Sequence, residues 1–225
     1  MHDFDRLTRR GSLLTLGGFV AAAFGWSESE SAGAGPSAVA TGLMTCVLTP
    51  EQTEGPYYVA NEHVRRNITE GRPGTPLTLR TTVVNASNCK PIKGAAVDIW
   101  HADASGTYSG VLGNTGTFMR GIQRANANGL ALFQTVYPGW YRGRTVHIHV
   151  KVHIGGNVVH TGQLYFPDSL TDVVYAHSPY SSRPNRDTRN ATDSVYRNGG
   201  SKSMLAVHKS GAGYVASIAM GVHRS

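Results

Sequence analysis

The sequence contains little cysteine and little charge. Of its 225 residues, 2 are cysteines and 16% are charged, while 40% are hydrophobic. This composition argues against a disordered chain and leaves room for at most one intramolecular disulfide. The sequence also lacks internal repeats and any long segment with the 3.6-residue apolar spacing of a helix, which argues against a repeat protein and a helical bundle. One well-buried domain is the expectation for a chain of this length.

The one apolar run of note, Leu13–Trp26, lies near the N-terminus. It is too short to span a bilayer comfortably, so no membrane span is predicted. The pair Arg9-Arg10 precedes it, a placement typical of a twin-arginine signal peptide. With Ala38-Val39-Ala40 as the cleavage site, residues 1–40 form the predicted leader and residues 41–225 the mature domain. The protein is therefore expected to be exported to the periplasm or the extracellular space.

The two cysteines, Cys46 and Cys89, both lie beyond the predicted leader. Two cysteines in turn-like surroundings of an exported protein predict one disulfide bridge, because the compartment is oxidising. Two unpaired thiols are the alternative.

Basic residues exceed acidic ones, and the formal net charge is +7. Nucleic-acid binding would require clustered charges interleaved with stacking aromatic residues, whereas the charges here are scattered. The loose group Arg183, Arg186, Arg189 and Arg197 is interpreted as a solvated basic loop, and no nucleic-acid partner is predicted. A positive surface still attracts anionic aromatic acids toward a cleft by electrostatic steering.

Short runs rich in Val, Ile, Thr and Tyr, separated by many of the 27 glycines and 10 prolines, predict brief strands. The predicted strands are Leu77–Asn85, Ala95–Trp100, Leu130–Val136, Thr145–Ile154, Val158–Phe166 and Tyr214–Val222. Strands without intervening helices usually bury their apolar faces as two stacked sheets. The expected fold is all-β, a β-sandwich of mostly antiparallel strands with long loops. The polar stretch 178–203 is expected to be a long surface excursion that contains a helical turn.

The segment Pro138–His149 contains the pair His147 and His149 on a predicted strand. Residues two apart on a strand project from the same face, so both imidazoles can reach one point while Ile148 faces the other way. A His-x-His pair by itself is common on protein surfaces, so the pair needs further ligands. Tyr141 and Tyr108 lie nearby in the pattern, although most tyrosines are core or rim residues.

Several segments, in the same order and at matching spacing, resemble the intradiol ring-cleavage dioxygenases, especially the protocatechuate dioxygenase branch. These segments are Thr49–Tyr58, Gly94–Trp100, Gly106–Tyr108, Pro138–Tyr141, Arg144–His149 and Gln163–Phe166. The resemblance covers about residues 46–170 and, more loosely, the last strand. It implies a non-haem dioxygenase that opens catechol-type rings between the two hydroxyl-bearing carbons.

The resemblance implies one Fe(III) per chain, held by Tyr108, Tyr141, His147 and His149. This ligand set is chemically coherent, because a phenol with a pKa near 10 ionises only beside a strong Lewis acid and hard anionic oxygens favour ferric iron. The implied partners are a small aromatic diol and O2, and the products are muconate-type dicarboxylic acids. Tyr108 is expected to stay on the iron, whereas Tyr141 is displaced by the substrate and accepts its proton.

The family also implies a substrate pocket. Arg144 corresponds to an arginine that stabilises charge on the ring, and Gln163 to a side chain that orients oxygens by hydrogen bonds. Gly55 and Pro56 lie in the segment that resembles the family's access loop. Only two residues separate Tyr141 from Arg144, where family members have a longer loop, so a more open site is expected. Asp98 and Trp100 are expected to support the site rather than to contact substrate.

Two rival hypotheses remain at this level. One is a secreted β-sandwich that binds a partner without catalysis, since this architecture serves many functions. The other is a different metalloenzyme, in which His147, His149 and a carboxylate bind Fe(II) or zinc; no carboxylate lies at a suitable spacing. Iron(III) bound by tyrosinate would colour the protein. The two rival hypotheses involve no iron tyrosinate and therefore predict a colourless protein. The sequence leaves the ring substituents and the oligomeric state open.

Overall fold

Eight strands dominate the described backbone, and the sequence pattern predicts six of them. The computed structural model describes residues 48–60 and 62–223. The strands are β1 Pro76–Asn85, β2 Ala96–Trp100, β3 Arg120–Arg124, β4 Leu130–Val136, β5 His147–Ile154, β6 Asn157–Tyr165, β7 Ala206–Ser210 and β8 Gly213–Val222. All six predicted strands are present, and each bound agrees to within two residues.

The strands form two four-stranded sheets. The first sheet has the order β4-β1-β8-β7, and the second has the order β3-β2-β5-β6. Only β1 and β8 pair in parallel among these strands, and every other neighbouring pair is antiparallel. The predicted mostly antiparallel arrangement is confirmed.

Both sheets contribute one face to a shared hydrophobic core. Its buried side chains include Leu79, Phe133 and Ile218 from the first sheet and Ile99, Ile148 and Leu164 from the second. Each large aliphatic side chain buried in this way contributes about 1.5–3 kcal/mol to stability. The predicted all-β sandwich is therefore confirmed, and the opposite face of the second sheet is left to carry the functional site.

Two strands were not predicted, β3 and β7. The sequence of β3, Arg-Gly-Ile-Gln-Arg, shows no alternation of apolar residues, yet Arg120 is buried. The sequence of β7 is mostly exposed, as is usual for a strand at a sheet edge. Periodicity is a poor signal for both kinds of strand.

The polar stretch 178–203 contains the predicted helical turn, but it does not lie wholly at the surface. Before it lies helix α1, Asp168–Tyr175, and within it lies the single-turn helix α2, Ser194–Arg197. Asn190, Asp193 and Ser203 are buried. The supposed solvated basic loop is also partly anchored, because Arg186 forms ion pairs with both Asp168 and Asp172.

The predicted leader and Cys46 lie outside the described residues. Cys89 lies in the turn after β1, with a φ of +60°. The pairing of the two cysteines stays a prediction. Within residues 48–60 and 62–223, no helix is long and apolar enough to cross a membrane.

Candidate active site

Strand β5 turns His147 and His149 to the face of the second sheet that points away from the core. Ile148 between them lies in the core, as the strand period predicts. The two Nε2 atoms are 3.1 Å apart, and both imidazoles are buried. Two ligands that bind one first-row metal side by side at about 2.1 Å lie about 3 Å apart. The spacing therefore suits a shared ion.

A backbone carbonyl fixes the tautomer of His147. Its Nδ1 lies 2.6 Å from the carbonyl oxygen of Thr145, which can only accept a hydrogen bond. Nδ1 therefore carries the proton, and Nε2 keeps its lone pair for a metal. Burial, helped by the nearby Arg144, lowers the pKa of His147 to about 3. The ring is neutral at physiological pH.

Ring packing surrounds His149, whose Nε2 also lies within hydrogen-bond distance of His147 Nε2. The indole of Trp100 stacks on it with centroids 4.8 Å apart and planes 5° apart. On the imidazole edge, a Cβ added to Gly55 would lie 3.2 Å from Cε1. The Nδ1 atom is buried without a hydrogen-bond partner among the described residues. Burial, and then the adjacent His147, lowers the pKa of His149 well below its usual value.

Two tyrosines complete the cluster from loops that follow β2 and β4. Tyr141 Oη lies 3.2 Å from His147 Nε2, and the Tyr108 and Tyr141 rings are 5.5 Å apart in an edge-on arrangement. Tyr108 is buried, and its hydroxyl has no hydrogen-bond partner within the described part of the chain. Burial raises the pKa of both phenols, most strongly for Tyr108. Neither ionises without a strong Lewis acid.

These four side chains fit a ferric ion. They offer two phenol oxygens and two neutral imidazole nitrogens at one point, and a buried phenol without a partner is costly unless something binds it. In the described residues, no group of three or more His, Cys, Asp or Glu side chains could hold a metal. A tyrosine-containing ligand set is therefore the one that this part of the chain offers.

Arg144 is fixed beside Tyr141 by a network. Its Nε donates to Asp193 Oδ2 at 2.8 Å, its Nη2 to Gln163 Oε1 at 2.5 Å, and its Nη1 lies 3.5 Å from Tyr141 Oη. Gln163 is fully buried, and its amide nitrogen donates to the carbonyl of Thr53. Gln163 thus holds Arg144 and the access loop together, in addition to any contact with substrate.

Asp193 is the group that sequence reasoning missed. Its Oδ1 accepts from the amides of Val195 and Tyr196 and so caps α2, while its Oδ2 accepts from Arg144 Nε and the Thr145 amide. Burial opposes ionisation, but these hydrogen bonds and the Arg144 charge hold its pKa below the usual value. An aspartate before a helix is a recognisable cap, but no local signal reveals the partner in the distant loop.

The access loop lies over the second sheet. Gly55 has a φ of +72°, and a Cβ added there would lie 3.2 Å from His149 Cε1, whereas Pro56 is exposed. Tyr57 packs its ring 4.7 Å from that of Tyr108. Of the two residues predicted from this loop, the structure therefore brings Gly55 directly against a proposed ligand and leaves Pro56 at the rim.

A second buried carboxylate lies on the same sheet face, in the strand beside β5. Asp98 accepts a hydrogen bond from Tyr58 Oη at 3.1 Å, and Tyr58 packs on Trp100. Lys151 lies over the Tyr58 ring and forms an ion pair with Glu54. Burial raises the pKa of Asp98 to about 7. These contacts support the expectation that Asp98 and Trp100 hold the site in place rather than contact substrate.

A cavity of about 390 Å³ opens beside the two tyrosines. Tyr57, Leu112, Asn114 and Arg142 line its outer part. Arg144 and Gln163 are not among its lining residues.

His101, which the sequence left ambiguous, is fully buried with its ring nitrogens bonded to the Ala102 carbonyl and the Thr135 hydroxyl. It is a structural residue.

A protein-family model described as "Dioxygenase" matches residues 53–195, which include all four proposed ligands. A solved intradiol ring-cleavage dioxygenase from Tetranychus urticae is 36% identical, with a TM-score of 0.76 over 79% of this chain and 95% of that one. The chain belongs to the intradiol ring-cleavage dioxygenase family. Members of this family use non-haem Fe(III).

Two further relatives show how far the similarity extends. The dioxygenase domain of a carbohydrate-binding fusion protein from Streptomyces sp. SirexAA-E is 33% identical, with a TM-score of 0.64 over 80% of this chain and 100% of that one. Catechol 1,2-dioxygenase 1 of Acinetobacter lwoffii is 34% identical over 101 residues, which are 41% of this chain and 32% of that enzyme. The chain thus matches about a third of the length of that curated intradiol dioxygenase.

Proposed function

We propose that this protein is an Fe(III)-dependent dioxygenase that opens the ring of catechol-type diols with O2. The observation that supports it most is the convergence of two neutral histidines and two tyrosines beside a fixed arginine. Both oxygen atoms enter the product, so a catechol and O2 give a muconate-type dicarboxylic acid with no leaving group. Family membership and the similarity to catechol 1,2-dioxygenase support the same substrate class.

Iron(III), when bound at this site, would supply the Lewis acidity that favours an ionised catechol and its reaction with O2. Tyr108, His147 and His149 would hold it throughout. Tyr141 is the more exposed phenol, and it lies beside both His147 and Arg144. We assign it the role of the ligand that leaves when substrate arrives and whose Oη accepts a substrate proton.

Arg144 lies next to the hydroxyl of Tyr141, with its Nη1 3.5 Å from Tyr141 Oη. Its guanidinium is held on two sides by Asp193 and Gln163, so it is oriented before substrate binds. A fixed cation stabilises negative charge on the substrate ring more than a mobile one does, because no reorganisation is needed during the reaction. We therefore propose that Arg144 stabilises negative charge on the substrate ring and that Gln163 keeps the Arg144 guanidinium oriented toward it.

Metal analysis, visible absorption and O2 uptake with catechol test the proposal together. We expect one iron per chain, a red-brown colour and consumption of one O2 per ring opened. Stoichiometric zinc, or a colourless protein with no O2 uptake after iron loading, would favour the rival binding module or a different metalloenzyme. Iron retained with unchanged colour in the double variant His147→Ala/His149→Ala would refute the ligand assignment.

Two phenylalanine variants separate the roles of the tyrosines. Tyr108→Phe should change the spectrum of the iron-loaded protein before any substrate is added. Tyr141→Phe should bind iron but take up catechol slowly, because the proton acceptor is missing. Resonance Raman spectra of the anaerobic wild-type complex should retain one tyrosinate signal; two retained signals would rule out the displacement of Tyr141.

We further propose export through the twin-arginine route and a Cys46–Cys89 disulfide. The Arg9-Arg10 pair before an apolar run and the even cysteine count support both. Intact mass of protein recovered outside the cytoplasm should lack the leader and two hydrogens. Free thiols in that sample would refute the bridge.

A further inference from the structure

The cavity beside Tyr108 and Tyr141 is larger than a catechol ring requires. An apolar cavity of about 150 Å³ is enough to bind benzene, whereas this one measures about 390 Å³. Besides the two tyrosines it is lined by Tyr57 and by the exposed residues Leu112, Asn114 and Arg142. A ring held at the tyrosines therefore leaves space for a substituent that points along these outer residues.

Arg142 gives the outer part of the cavity its charge. No carboxylate lines the cavity, and Arg142 makes no ion pair with any residue between 48 and 223 that the structure describes. Asp187, which reaches the neighbouring Gly143, accepts from that backbone amide and from the Thr188 hydroxyl. The cavity thus presents one guanidinium whose charge is available to an anion.

Leu112 gives the same region an apolar wall. Its side chain is 79% exposed, and its φ of +53° is unusual for a residue other than glycine. The loop that carries it is fixed at its base, because Ser109 Oγ donates to the Phe118 carbonyl at 2.6 Å and buried Arg120 donates to the Ser109 carbonyl at 2.7 Å. Conformational strain that holds an apolar side chain at a cavity is typical of a ligand contact.

We propose that this cavity selects catechols whose ring substituent is an apolar spacer ending in an anion. The spacer lies against Tyr57 and Leu112, and the anion pairs with Arg142. This inference rests on the proposed ring-cleavage function and names its substrate class. It also gives a role to the short connection from Tyr141 to Arg144. Arg142 in this connection directly follows the tyrosine that substrate is proposed to displace, and it binds the anionic end of the ring substituent.

Paired substrates that differ only in charge provide the test. The compounds are 3-(3,4-dihydroxyphenyl)propanoate and its primary amide, and kcat/KM is measured by O2 uptake with the iron-loaded protein. We expect wild type to prefer the propanoate about fivefold, as befits an exposed ion pair, and the preference to shrink at high salt. Arg142→Gln should bring the ratio close to one. Leu112→Ser should lower kcat/KM for both compounds equally.

Arg66→Gln is the matched control, because Arg66 is also exposed and lies outside the cavity. It removes the same charge and should keep the preference, which excludes an effect of net charge alone. A wild-type ratio near one, or a ratio unchanged in Arg142→Gln, would overturn the proposal. If not even catechol is opened, the proposed function fails; calorimetric Kd values for the two compounds then decide about the cavity, and equal values refute its selectivity.

Discussion

The two histidines of the site are held in different ways, and the surroundings of each differ accordingly. His147, Thr145, Arg144, Gln163 and Asp193 form a polar half, in which hydrogen bonds link the four other side chains either directly or through the Thr145 backbone. His149, Trp100, Tyr108 and Gly55 form a packed half, in which rings and a close backbone contact fix positions. One half is specified by donors and acceptors, the other by shape.

The packed half contains three buried polar atoms without partners among the described residues: His149 Nδ1, Trp100 Nε1 and Tyr108 Oη. Buried polar groups are normally bonded, and each exception costs about 1–3 kcal/mol. In the polar half no buried side-chain atom lacks a partner among the described residues, although His147 Nε2 keeps a lone pair for a metal, whereas the packed half leaves three such atoms unbonded. Variants in the polar half should therefore mainly change stability, whereas variants in the packed half should also change metal binding.

Asp193→Ala should break the polar half with the largest effect. It leaves the Arg144 guanidinium and the Thr145 amide without their shared acceptor in a buried setting, so we expect a loss of about 3–5 kcal/mol in the free energy of unfolding. Urea denaturation measures it. Asp187→Ala is the control, because this exposed carboxylate also accepts from a loop amide, and it should cost within about 0.5 kcal/mol. Similar losses in both would contradict the distinction.

Two buried aspartates should respond to pH in opposite directions. The pKa of Asp98, beside the packed half, is raised to about 7 from an unfolded value near 3.9. The folded state therefore binds its proton more tightly, and stability falls as pH rises between these values. Asp98→Asn should remove this loss, with a gain over wild type that grows by on the order of 2–3 kcal/mol between pH 5 and pH 8.

Asp193 provides the opposite sign. Its pKa lies below the unfolded value, so its stabilisation is present above about pH 4 and is lost as pH falls further. Denaturation midpoints of metal-free protein across this range measure both effects. A gap between Asp98→Asn and wild type that does not change with pH would show that Asp98 is not the titrating group.

Trp100→Leu should loosen the packed half. The loss of the stacked indole is expected to cost about 2 kcal/mol in stability and, by releasing His149, about tenfold in iron affinity. Trp100→Phe retains an aromatic plane and should restore most of the affinity. Chelator competition measures the metal, and NMR of the His149 ring in metal-free protein reports its orientation. Equal iron affinity in both variants would mean that stacking does not position the imidazole.

Gly55→Ala should give the smallest effect on stability of these variants. Its effect on the site can be assigned to a single contact. Gly55 and Gly71 share a φ of +72°, but only at Gly55 would an added Cβ approach a neighbour, His149 Cε1 at 3.2 Å. Both alanine variants therefore carry the same backbone cost of about 1 kcal/mol, and the difference between them isolates the contact. We expect a shifted visible spectrum of the iron-loaded protein for Gly55→Ala alone. Identical spectra would remove Gly55 from the packed half.

The sequence predicts the polar half only in fragments. The strand period was enough to bring His147 and His149 together, and the family resemblance supplied the two tyrosines. Asp193 escaped because its partners, Arg144 and Thr145, lie in a distant loop and hydrogen bonds between distant residues leave no periodic pattern. The stack of Trp100 on His149 follows from the pairing of β2 with β5, which places these residues opposite each other. Strand register of this kind is set by the whole sheet.

Leu77 of β1 pairs with Tyr214 of β8, so the first sheet joins distant ends of the described domain. The second sheet, which carries the site, uses only strands between residues 96 and 165. Closing a longer loop costs more chain entropy, and pairing between distant segments slows folding. The second sheet therefore has the shorter route to formation, and the hydrophobic core is completed only when β8 arrives. During synthesis, this domain can finish folding only after its last strand has left the ribosome.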